Sequence, residues 1–216
     1  MTKKASESRS QTMDGVTYKY SSDWIHQLEN QEHWMSYHNQ LSLILPELKA
    51  GDTILEIGPG SGFLSNYLRS KGYQVSTLDI DDEKSPDITA NLVDYPFPEK
   101  YDHIMAFEVF EHIPFDKFEA VLPKLKNAVV KNLFLSVPRN YRIWFRADLI
   151  IPYFKNVSFS IKMKRRKINE GHHFWEMDFG PYKHRKLAEA MGNAGFSIAS
   201  IKKISLMVFI HLRPNP

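Results

Sequence analysis

The 216-residue sequence has no cysteine. That excludes a disulfide framework, thiolate ligation of a metal and a cysteine nucleophile. No apolar run approaches the ~20 residues of a bilayer span. The longest, at 149–154 and 205–212, suit buried strands or short helices. Residues 1–11 are polar and charged with no apolar core, unlike a secretory signal. A cytoplasmic protein without a membrane span is expected. Internal repeats are also lacking. Hydrophobic (43%) and charged (25%) fractions are those of an ordinary globular chain. The length suits one domain with room for an added cap.

A large net charge is missing too, at +3, but the charge is unevenly placed. Residues 77–119 carry twelve acidic and three basic side chains, a balance of −9. Residues 139–186 carry twelve basic and four acidic ones, a balance of +8. The Lys162–Lys167 run is either a solvated face or a contact for an anionic partner.

The chain is organised around Leu55-Glu56-Ile57-Gly58-Pro59-Gly60-Ser61-Gly62-Phe63. Thr53, Ile54, Leu55 and Ile57 read as a buried strand. Phe63, Leu64, Tyr67 and Leu68 recur at helical spacing until Gly72. Strand, glycine turn, helix is the setting of a nucleotide-type cofactor loop, where glycines let the backbone approach a ligand. The dinucleotide fingerprint wants its third glycine where Phe63 stands. A pyrophosphate favours amide donors and a positive helix start. Glu56, two residues before Gly58, opposes that and favours a cofactor with cationic groups, as in S-adenosylmethionine.

This stretch resembles the first motif of class I S-adenosylmethionine-dependent methyltransferases, the small-molecule type 11/12 families in particular. The likeness covers roughly residues 50–140. It implies a Rossmann-like, doubly wound α/β sheet, mostly parallel, with a terminal antiparallel hairpin and helices on both faces. It implies S-adenosyl-L-methionine as cofactor, held by Glu56, Gly58, Gly60 and Gly62. Asp79 ends a second strand, 21 residues after Gly58, where a carboxylate accepts from the ribose hydroxyls. Ile80 then lies against the adenine. Asn91-Leu92 occupies the stretch that usually carries an acid at the adenine edge; Asn can still accept the amine. Glu108-Val109-Phe110-Glu111-His112 is similar to the family's Glu-x-Leu/Phe-Glu-His segment after the fourth strand. Glu56, Gly58, Asp79, Asn91 and Glu108 all fall at strand ends, where such sheets bind ligands.

Around this core, residues 1–16 read as a disordered tail and 17–216 as a single domain. Residues 17–50 form a helical cap in this reading, with helix over 22–45 started by Ser22 or Asp23. Asp87–Leu92 reads as a third strand, and Asp116 as the cap of a helix over 117–129. Residues 139–182, mixing aromatics and cations, read as an insertion over the substrate side.

Methyl transfer expels a neutral thioether, so the protein mainly aligns the reactants, worth up to roughly 7–11 kcal/mol. A base is needed only where the acceptor must lose a proton. His112 and His173 are the candidate catalytic residues. Trp34, Tyr37, His172, Trp175 and Glu176 are candidates for the acceptor pocket. No metal site is expected, because the adjacent His172 and His173 point different ways and no third ligand is evident. The expected partner is a small-molecule acceptor, possible charge anionic, with an oxygen, nitrogen or carbon nucleophile; oligomeric state is open. An RNA or protein methyltransferase using 162–167 competes, although no RNA-binding domain and no Asn/Asp-Pro-Pro-Tyr motif is present. So does a NAD-dependent oxidoreductase or a non-catalytic cofactor-binding module.

Overall fold

The computed structural model describes residues 9–13, 15–20, 29–149, 157–169 and 171–216. An N-terminal hairpin, β1 (Arg9–Met13) and β2 (Val16–Tyr20), precedes helix α1 (Gln31–Ile44). Then come β3 (Thr53–Ile57), α2 (Phe63–Ser70), β4 (Gln74–Asp79), the two-residue β5 (Ile88–Thr89) and β6 (Tyr101–Phe107). Helix α3 (Phe115–Ala128) leads to β7 (Val129–Pro138). A second hairpin, β8 (Tyr141–Leu149) and β9 (Val157–Lys164), is followed by α4 (His184–Asn193), β10 (Phe196–Ile204) and β11 (Met207–Pro214).

Seven strands form one sheet in the order β10-β11-β7-β6-β3-β4-β5. β3 to β7 are parallel, and β11 and β10 add the antiparallel pair. The sheet is covered on both faces, so its central strands are near-continuous apolar runs. Ile54, Leu55 and Ile57 of β3 are buried, as are Ile104, Met105 and Ala106 of β6. α3 and α4 pack on one face through Phe118, Leu122, Leu187 and Met191. α1 and α2 pack on the other through Leu43, Ile44, Leu64 and Leu68. The crossovers reverse direction between β3 and β6. No helix among the described residues is long and apolar enough to cross a membrane.

A buried polar chain crosses the sheet from the loop before β3 to β11. His103 Nε2 lies 2.8 Å from Asp52, Asn132 Nδ2 lies 3.1 Å from His103 Nδ1, and His211 Nε2 lies 2.7 Å from Asn132 Oδ1. Asn132 can satisfy both histidines only if His103 donates to Asp52 and His211 donates to Asn132, which assigns their tautomers.

Several expectations are corrected. Residues 9–13 are strand, not tail: the hairpin turns at Gly15 and buries Tyr18. Asn30, not Ser22 or Asp23, caps α1 by accepting from the His33 amide at 2.9 Å; the expected helix over 22–28 lies outside the described residues. The third strand shrinks to Ile88–Thr89 because the chain turns at Asn91, whose carbonyl accepts from the Asp94 and Tyr95 amides. α3 starts at Phe115, so Asp116 sits in its first turn and makes no cap. Pro123 is tolerated on the exposed face, where the carbonyl it leaves free meets water.

The 139–182 insertion is split. β8 and β9 form a hairpin outside the main sheet, whereas residues 172–175 are stitched to the turn after β6. His112 Nδ1 donates to the His172 carbonyl at 2.9 Å, the Phe174 amide donates to the Glu111 carbonyl at 2.8 Å, and Trp175 Nε1 donates to the Ile113 carbonyl at 3.1 Å. Trp175 is therefore a core residue at 0% exposure, against Phe115, Phe118 and Tyr182. It does not line the cavity, where the acceptor-pocket role was expected for it. Trp175→Ala should cost about 3–5 kcal/mol of stability, measured by urea unfolding. An unchanged midpoint would contradict the core placement.

Candidate active site

The carboxyl ends of β3, β4 and β6 open into a cavity of about 620 Å³. Gly58, Gly60, Glu56, Asp79, Ile80, Asn91, Leu92 and Glu108 all line it. Gly58 has φ +70°, and a Cβ there would stand 2.6 Å from Val109 Cγ2, so only glycine fits. Its amide donates to the Leu78 carbonyl at 2.8 Å, which ties the loop to β4. Gly62 is not in the lining. Its φ of +74° makes the turn into α2, and its carbonyl starts the helix by accepting from the Asn66 amide.

Glu56 is buried, and its Oε2 has no hydrogen-bond partner among the described residues. Burial pushes its pKa up to about 8, only partly offset by Ser65 and Arg69. Asp79 accepts from the Asp81 amide at 2.9 Å and pairs with Lys84 at 2.9 Å. Asn91 Oδ1 accepts from the Val93 amide at 2.9 Å, and Nδ2 lies 3.4 Å from Met13 Sδ of the N-terminal hairpin. Tyr18 and Tyr20 of that hairpin also line the cavity. Arg9 holds the hairpin to Asp81, Asp82 and Glu83. The polar composition of residues 9–13 conceals this cover; Tyr18 and Tyr20, two apart on one strand face, are the signal that could have shown it.

Tyr37 does line the cavity. Its hydroxyl donates to Glu29 at 2.8 Å and lies 2.9 Å from Ser61 Oγ. Burial, with Glu29 adding to it, raises its pKa to about 12. The ring stacks on Phe63 at 4.4 Å, which explains an aromatic residue where a dinucleotide loop has glycine. Trp34 packs edge-on against Phe63 at 5.1 Å, is 50% exposed and lies outside the lining; the pocket role expected for it is corrected.

Glu108, His112, His172 and His173 also line the cavity. Glu108 has φ +58° and accepts from Ser36 Oγ of α1 at 3.2 Å. It is solvent-accessible yet deep in the cleft, and that crowding raises its pKa. Burial, then His173, lowers His112 to about 4, so its imidazole is neutral at pH 7. Glu176 does not line the cavity. It is fully buried and bound by His173 Nδ1 at 2.8 Å, Asn140 Nδ2 at 2.9 Å, the Asn169 amide at 2.9 Å and Arg165. Burial opposes its ionisation, but these bonds outweigh it and hold its pKa down to about 2. Glu176 thus acts behind His173 rather than on a ligand. Glu111, buried beneath the turn, was not among the expected site residues.

Residues 25–201 match the methyltransferase domain family. The chain belongs to this family. Over 143 residues it is 28% identical to an uncharacterized methyltransferase of Staphylococcus carnosus, covering 61% of this chain and 69% of that one. Its fold is similar to magnesium protoporphyrin IX methyltransferase from Synechocystis PCC 6803, solved with S-adenosylhomocysteine (TM-score 0.61, 15% identity, 89% of this chain and 90% of that one). It is also similar to the N-methyltransferase NodS of Bradyrhizobium japonicum WM9, solved with the same product (TM-score 0.60, 11% identity, 87% and 90%).

The methyl donor of this class, S-adenosylmethionine, fits the cradle. Glu56 offers a buried, unpartnered carboxylate oxygen to a cationic group, and Gly58 leaves room for the backbone to approach. Free Glu56, with its raised pKa, is protonated at pH 6.5. A cation beside it favours the ionised form, so binding expels the proton and affinity rises with pH toward 8. Calorimetry at pH 6.5 in two buffers of different ionisation heat should show release of up to about one proton per cofactor bound. Glu56→Gln should abolish the release; an equal release from the variant would contradict this role.

Proposed function

We propose that the protein transfers the methyl group of S-adenosylmethionine to a small-molecule acceptor whose nucleophile is seated against His112 and His173. The observation that carries this is the continuity of one cavity from Gly58 and Asp79 to the two histidines. Glu56, Gly58, Gly60, Asp79, Ile80, Asn91 and Leu92 serve the cofactor end. Tyr37 and His172 line the acceptor side.

The histidines are oriented by their own hydrogen bonds. Both Nδ1 atoms are engaged, His112 with a carbonyl and His173 with the Glu176 carboxylate, so both Nε2 lone pairs are free. The rings meet edge to face at 5.1 Å. Since the leaving thioether is neutral, alignment against these nitrogens supplies most of the catalysis. The two solved neighbours are named for a porphyrin acceptor and for N-methylation, both in line with a small-molecule role. A cytoplasmic setting is part of the same reading.

The basic run lies outside the cavity lining, and Lys162 and Arg165 are partly spent on Ser205 and Glu176. It therefore draws an anionic acceptor by field rather than contact. One observation favours a second reading, an RNA acceptor: Trp144, Phe145 and Phe159 are exposed on the β8–β9 hairpin beside these cations.

A screen with labelled S-adenosylmethionine against metabolite pools and RNA tests the proposal. Label should enter a small molecule. His173→Ala should lower turnover by ~100-fold or more, with cofactor affinity within about threefold, because only the acceptor is misplaced. Label in RNA alone, or unchanged turnover in the variant, would overturn it.

A further inference from the structure

One carboxylate in the site has no role in the proposal above. Glu111 is 1% exposed, yet its Oε2 has no hydrogen-bond partner among the described residues. A buried carboxylate oxygen left unpaired is costly, and native structures rarely keep one without a ligand to meet it. Its surroundings narrow the ligand. One oxygen of Glu111 and one ring nitrogen each of His112 and His173 lie within 4.8 Å of one another.

From this geometry we infer that Glu111, His112 and His173 bind a divalent transition-metal ion at the acceptor end of the cavity. The imidazoles are already arranged as ligands. Each Nδ1 is held by a partner, His112 by the His172 carbonyl and His173 by the fully buried Glu176, which leaves Nε2 for an ion. Outer partners of this kind fix ring tautomer and orientation in metal sites. Glu111 is held by its backbone carbonyl, which accepts from Phe174, so the loop carrying His173 and the turn carrying Glu111 and His112 are fastened together. The three ligands come from positions 60 residues apart, which is why the pair His172–His173 shows no third ligand along the chain.

The donor set selects the ion. Two imidazoles and one carboxylate suit Mn²⁺, Fe²⁺, Co²⁺ or Zn²⁺ better than Mg²⁺ or Ca²⁺, which prefer oxygen throughout. Three protein ligands also leave positions open, the mark of a site that takes a substrate rather than a structural one. His112 and His173 line the cavity while Glu111 lies buried behind them, so open positions on an ion they hold would face the cavity. The acceptor this implies presents one or two oxygens to the ion, as a hydroxyl beside a second hydroxyl or a carboxylate does. The ion would hold and polarise that oxygen in line with the methyl group. This rests on the methyltransferase reading, but binding of the ion is measurable without it.

The untagged full chain, treated with a chelator, is titrated with Mn²⁺ and followed by electron paramagnetic resonance. Saturation at one ion per chain is expected. Glu111→Gln and His173→Ala should each weaken binding by at least ~10-fold, while His184→Ala, remote on α4, should not. Melting temperatures establish that the variants are folded, and His173→Ala removes a cavity-lining ligand rather than a core residue. No saturable binding at about 1 mM Mn²⁺, or equal affinity in both folded variants, would overturn the site. Mg²⁺ displacing Mn²⁺ at equal concentration would overturn the transition-ion assignment. S-adenosylhomocysteine titrated into the metal-free chain separates the two readings: binding there with no metal uptake sinks the ion site alone.

Discussion

Carboxylates gathered at one end of a parallel sheet are the constraint on which this molecule depends. Glu56, Asp79, Asp81, Glu111 and Glu176 are all buried there, and Glu108 lines the cleft. A buried carboxylate is tolerable only when a cation or several donors meet it. The chain meets two of them itself, Asp79 with Lys84, and Glu176 with Arg165, Asn140 and His173. Among the described residues Glu56, Asp81 and Glu111 each keep one oxygen without a hydrogen-bond partner. Asp81 is met on its other oxygen by Arg9 and the Glu83 amide. The oxygens of Glu56 and Glu111 are the two proposed to meet a ligand.

The remaining structure serves to hold those acids in place. Parallel strands β3, β4 and β6 end together, so their terminal acids converge although they are far apart in sequence. Tyr37, Glu29 and Ser61 tie α1 to the glycine turn. The N-terminal hairpin closes the cofactor side. Its Arg9 is half-exposed, and ion pairs on such side chains contribute little. Burial of Tyr18 is the stronger anchor.

The central fold was legible because buried parallel strands leave a simple trace: apolar runs that stop at turn residues. Leu55 to Gly58, Leu78-Asp79 and Phe107-Glu108 each show it, and each ends at the cavity. Three features were not legible, each for a physical reason. β1 is exposed along nearly its whole length and β2 buries only Tyr18, so their composition mimics a tail. Trp175 and Trp34 are the same residue type in aromatic-rich segments; only tertiary packing buries the first and exposes the second. The partnership of Glu111 with His173 depends on hydrogen bonds between residues about 60 apart, Phe174 to Glu111 and His112 to His172. No local pattern encodes such a contact.

The central claim is that the cavity at Gly58 is built for a cationic adenosine cofactor and not for a pyrophosphate. Calorimetric titration of the purified chain with S-adenosylmethionine, S-adenosylhomocysteine and NAD tests it most directly. The account predicts one site per chain for the first two and no binding of NAD. Tight binding of NAD with no response to S-adenosylmethionine would contradict it.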